Sequence, residues 1–168
     1  FLTPNLMSLS MNAEKNFDIF FAGVKTIERI AIIDKLKKLN PTLKWFVDLE
    51  YRLTDYIKLS KILSRCKYVI NIPAYKESAL ETHRIVKGLY SNCQILSPPS
   101  HDTKLTKELE PYVHFGKLED LIINIDNLNK KKTISHYIQY YENPLFKTLL
   151  NSMQEFERDI YIQNAVSI

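Results

Sequence analysis

The sequence predicts an α/β protein built on a doubly wound parallel sheet of about five strands, with a helical C-terminal tail. Three observations lead there. Short apolar runs closed by turn residues alternate with longer stretches whose apolar residues recur at helical spacing. The connections between successive runs are long enough to carry a crossover helix, which neighbouring parallel strands require. Composition agrees: 45% apolar and 25% charged residues in a chain of 168 suit one globular domain with a genuine core.

Residues 1–16 carry no periodic pattern and read as an irregular lead-in or linker. They lack a basic leader, which makes a poor signal peptide, and they lack an initiating Met, so a fragment or processed product is expected. FDIFFAG (17–23) reads as a buried strand ending at Gly23. Residues 26–39 place Ile27, Ile30, Ala31, Ile33 and Leu36 at helical spacing and stop before Asn40-Pro41. TLKWFVD (42–48) is the second strand, and Thr54 can cap a helix lined by Tyr56, Leu59, Ile62, Leu63 and Cys66. KYVINI (67–72) is the third strand, and residues 78–90 are the third helix. CQILS (93–97) runs into a Pro98-Pro99 turn, YVHFG (112–116) is a short fifth strand, and 117–128 form another helix. The domain is thus expected to span 17–130. In the tail, 131–168, residues 133–142 read as helix and Pro144 restarts the pattern. Leu145, Phe146, Leu149, Leu150, Met153, Phe156 and Ile160 then form an apolar stripe that must be buried, on this domain or on a neighbour.

Charge and cysteine usage exclude several classes. The net charge is +4, and the one basic run, KKK at 130–132, is too short for a nucleic-acid stripe. No apolar stretch approaches the roughly 20 residues that span a bilayer. Cys66 and Cys93 are expected to be buried free thiols in a reducing, cytoplasmic setting. His83, His101, His114 and His136 have no metal-ligand spacing, and no carboxylate pair accompanies them, so no metal site is expected.

In a doubly wound sheet, ligands bind outside the carboxyl ends of the strands, where the strand order reverses. That rule selects Gly23 to Arg29, Asp48 to Arg52, Asn71 to Glu81 and Ser97 to Asp102. Within the third segment, Ser78-Ala79-Leu80-Glu81 has capping-box spacing: Ser78 caps the helix and Glu81 reaches back to the backbone. Arg84, three residues on, suits an ion pair with Glu81 on the helix surface. Asp102 fits a turn or cap residue. Asp48 ends a strand as a phospho-acceptor would, without the acidic pair such a site needs after the first strand.

The succession DIFFAGVKTIERIAIIDKLKKL, SRCKYVINI, SALETHRIVKGL, ILSPPSHD and YVHFGKLEDLIINI resembles the C-terminal half of a two-Rossmann-domain, GT-B type glycosyltransferase. It is similar in particular to the group 1 branch related to spore-maturation and surface-glycan transferases, over about residues 17–128. The resemblance implies a Rossmann-like domain that binds a nucleoside diphosphate sugar as substrate, with no further cofactor. Glu81 would hold the ribose hydroxyls, and amides at the start of its helix, with Ser78 and Ala79, would face the diphosphate. Gly23 and the turn after it would lie near the phosphates, with Lys25, Arg29 or Lys76 neutralising the leaving group. Tyr51 would stack on the base, and Asn71, Tyr75 and Arg84 would complete the donor site. No catalytic residue is assigned. The acceptor would be a glycan, protein or lipid hydroxyl, and an N-terminal Rossmann domain outside this chain would help to bind it. The chain departs from the family at Pro73, where a histidine or glutamate is usual, and at LYSNCQIL, which replaces a small-Gly motif. The departure at Pro73 favours the alternative, a non-catalytic nucleotide-binding or scaffold domain that keeps the fold.

Overall fold

The computed structural model describes residues 13–50, 53, 56–74 and 80–132. They form five strands and five helices in alternation: β1 Phe17–Ala22, α1 Ile27–Leu39, β2 Trp45–Asp48, α2 Tyr56–Leu63, β3 Cys66–Ile70, α3 Thr82–Tyr90, β4 Gln94–Ser97, α4 Thr103–Leu109, β5 Val113–Phe115 and α5 Leu118–Ile123. A 3-10 turn, Ile125–Asn127, follows. All four strand pairings are parallel, in the order β2-β1-β3-β4-β5. The sheet is the expected Rossmann-like, doubly wound one, with its order reversing between β1 and β3.

Side-chain alternation along the strands explains why helices cover both faces. Ile19, Phe21, Ile70, Ile72 and Leu96 point to one face, where Ile33 and Leu36 of α1 and Leu118, Leu121 and Ile122 of α5 close over them. Val69 and Ile95, one residue out of phase, point the other way and meet α3. There Gly88 lets the helix lie close: a Cβ at this position would stand 2.5 Å from Ile95 Cδ1 and 2.9 Å from Val69 Cγ2. Helix α3 then ends in a Schellman motif. Asn92 adopts a left-handed φ of 55°, Cys93 N–H bonds to Gly88 O at 3.0 Å, and Asn92 N–H bonds to Leu89 O at 3.2 Å.

Element boundaries depart from expectation in several places. Strand β2 begins at Trp45, not at residue 42, and Cys66, expected on the second helix, opens β3. Helix α3 begins at Thr82, not at residue 78. A helix at Thr103–Leu109 fills a stretch read as connection, where only Leu105 and Leu109 supply an apolar spacing and Leu109 alone is buried. Asp102 caps it, accepting from Leu105 N–H at 2.9 Å. The single helix expected at 117–128 is broken at Asn124, whose amide bonds back to Asp120 O. Thr54 and the tail's apolar stripe lie outside the described residues.

Both cysteines are buried and free. Burial pushes each thiol up to about 12, far above the range in which a thiolate forms. In the folded protein neither thiol should react with a disulfide reagent at pH 8 over minutes, and both should react in guanidinium. Gly88→Ala should destabilise the domain by roughly 1–3 kcal/mol in urea titration, because the added methyl overpacks the α3 interface.

Candidate functional site

The carboxyl ends of β1 and β3, on either side of the reversal point, converge on one carboxylate. Glu81 is the N-cap residue of α3, but its side chain makes no cap hydrogen bond. Its oxygens are drawn instead to two guanidinium groups. Arg29 Nη2 donates to Oε1, and Arg84 Nη2 pairs with Oε2 at 2.6 Å. Arg29 comes from α1, on one face of the sheet, and Arg84 from α3, on the other. The crevice at the switch point is where they can meet.

Both arginines are interior groups. Arg29 is 1% and Arg84 6% exposed, while the Glu81 side chain keeps 18%. Carbonyls that have run out of strand partners absorb their remaining donors. Arg29 Nε and Nη2 both reach Ile72 O, at 3.1 and 2.8 Å, and its Nη1 reaches Val24 O at 3.1 Å. Arg84 Nε donates to Ala22 O at 3.2 Å, and Nη1 to Asn71 Oδ1 at 2.7 Å. The Phe21 ring lies beneath both, with its centroid 5.4 Å from Arg29 Cζ and 4.8 Å from Arg84 Cζ, a cation–π geometry. Gly23 leaves the room: a Cβ there would meet Arg84 Nη2 at 2.9 Å and Arg29 Nη1 at 3.1 Å.

Neither local reading of this segment describes that arrangement. The capping box fails because the helix starts one residue after Glu81, which places the glutamate at the cap and not three residues inside. Arg84 is not a surface partner either, since it is buried and ties β1, β3 and α3 together. Nor is Arg29 open to a phosphate: its guanidinium is enclosed and bonded to protein acceptors.

Of the other expected site residues, Gly23 stands against the cluster and Asn71 belongs to it, while Lys25 is exposed on the loop after β1. Tyr51, Tyr75, Lys76, Ser78 and Ala79 lie outside the described residues. Asp48 is occupied by its own turn, accepting from Glu50 N–H at 3.0 Å and Leu53 N–H at 2.9 Å. His83 is half-exposed, with Nε2 4.0 Å from Glu81 Oε2. Desolvation, and then the positive charge of Arg84, hold its imidazole below its ordinary pKa, so it is neutral at pH 7. Among the described residues no three His, Cys, Asp or Glu side chains gather as metal ligands would, and no helix is long and apolar enough to cross a membrane.

One member of the cluster escaped sequence reasoning. Phe21 looks like any core strand residue, and nothing in a strand pattern marks a ring that carries cations. Ser97, which heads the last segment selected by the strand-end rule, terminates β4 and accepts from Asn71 Nδ2 at 3.1 Å.

Comparison of the chain with family models, curated proteins and solved structures finds no match. The resemblance to a glycosyltransferase half therefore stands on the chain's own motifs.

Removing the carboxylate charge leaves two buried guanidiniums facing each other. Glu81→Gln should cost about 3 kcal/mol or more in chemical denaturation, as breaking buried ion pairs does. Glu119→Gln, which breaks the exposed pair with Lys35, should cost under about 1 kcal/mol in the same assay.

Proposed function

We propose that this chain is the donor-binding half of a glycosyltransferase, moving a sugar from a nucleoside diphosphate to a hydroxyl of a glycan, protein or lipid. One observation carries the reading. Glu81, the residue that the family resemblance assigns to the ribose, lies at the reversal point of a doubly wound sheet, where such folds bind nucleotides. Each carboxylate oxygen has a second acceptor position beyond the one its arginine takes, so a vicinal diol can still be held. The exposed Lys25, with Lys76, would receive the diphosphate, helped by the partial positive charge at the start of α3. Glycan biosynthesis in the cytoplasm, with an N-terminal Rossmann domain supplying the acceptor site, completes the reading.

A specific observation also favours the second reading, a nucleotide-binding or scaffold domain without chemistry. The Glu81 carboxylate is satisfied from within the protein, and Pro73 stands where the family carries a histidine or glutamate. Sugar transfer by the chain joined to its N-terminal half separates the two.

Heat denaturation in the presence of UDP, GDP or TDP is the direct test. One of them should raise the melting temperature, and the rise should persist in EDTA, because lysine side chains and the helix dipole would meet the diphosphate. The chain by itself should transfer no sugar. Failure of all three nucleotides to stabilise the protein would remove the proposal.

A further inference from the structure

We propose that Ser97, Asn71, Arg84 and Arg29 are positioning residues that act on a nucleotide only through Glu81, aiming its carboxylate at the ribose hydroxyls; this rests on the donor-binding reading above. The polarity of the hydrogen bonds is what assigns the role. A guanidinium can only donate, so Asn71 must present Oδ1 to Arg84 Nη1, at 2.7 Å. Its Nδ2 therefore points the other way, to Ser97 Oγ at 3.1 Å. Ser97 must accept that bond, and its own proton goes to Pro98 O at 2.8 Å. Each hydrogen bond along Ser97–Asn71–Arg84–Glu81 thus has one direction.

The relay begins at the end of β4, passes through the end of β3, and fixes one oxygen of Glu81 from the α3 side. Arg29 fixes the other oxygen from the α1 side, itself held by Ile72 O and Val24 O. Ser97, Asn71 and Arg29 are each at most 1% exposed. None is placed to touch a ligand, and each can alter binding by letting the carboxylate turn. A group oriented at both ends by buried partners holds a diol without losing rotamer freedom on binding.

A cycle between protein and ligand tests this. Binding of UDP and GDP is measured by calorimetry, alongside their 2′,3′-dideoxy forms, for the unmodified chain, Asn71→Ala and Ser97→Ala. Melting temperatures without nucleotide report on folding. The unmodified chain should prefer the ribose form. Asn71→Ala should weaken binding of that form about tenfold, as loss of hydrogen bonding to a charged group does, and leave the dideoxy form unchanged. Ser97→Ala, one step further away and milder, should weaken it about threefold with the same selectivity; it decides the matter if Asn71→Ala fails to fold. Equal losses for both forms would overturn the inference in favour of a general structural role or a phosphate contact, and no loss would overturn it too. Equal affinity of the unmodified chain for the two forms would overturn it while nucleotide binding stands. Binding of neither form would overturn it too, and, joined to a failure of TDP to stabilise the protein, would remove the proposed function as well.

Discussion

Two arginines come from helices on opposite faces of the sheet, and the fold at its carboxyl edge depends on the one carboxylate between them. A guanidinium taken out of water costs several kcal/mol unless its charge and its five N–H groups are answered. Here the single Glu81 carboxylate pairs with both, and the Phe21 ring lies beneath them. The backbone carbonyls of Ala22, Val24 and Ile72, left over where β1 and β3 stop pairing, answer most of the rest. The ends of strands, which would otherwise need water, thereby become part of a buried network. It joins α1, α3, β1 and β3 at the place where the topology would otherwise leave them apart.

That network explains local details that look unrelated. The start of α3 is displaced because the glutamate that might have capped it is engaged elsewhere. Gly23 follows β1 because any side chain there would collide with both guanidiniums. Phe21 is the last inward-facing residue of β1, and its ring lies under the two cations. Gly88 serves the same end from a distance: by letting α3 settle onto Val69 and Ile95, it brings Arg84 within reach of Ala22 O and Asn71.

A carboxylate held in this way is suited to recognition more than to proton transfer. Its orientation is set before any ligand arrives, by a guanidinium at each oxygen. Hydroxyl donors are what such a group receives best. The same enclosure also serves a purely structural end, and the chemistry of the ligand, not the geometry of the cluster, separates the two.

Much of the architecture was legible in the residues. Strand runs such as FFAG and YVINI, separated by helix-length connections, dictate a parallel sheet, because local hydrophobic period and connection length are properties of the chain itself. The burial of the two cysteines followed in the same way. Glu81 and Arg84 could be picked out as a pair, and Arg29 stood in the right segment, on a helix face with Ile33 and Leu36 that turns inward. Ile27, expected on that face, is 84% exposed instead. What the pattern could not contain was that Arg29 and Glu81, 52 residues apart, meet. Spacing within one helix favoured a capping box, and an ion pair across the switch point outweighed it. Two buried guanidiniums need a carboxylate far more than a helix end needs one, and only the folded chain brings the three together.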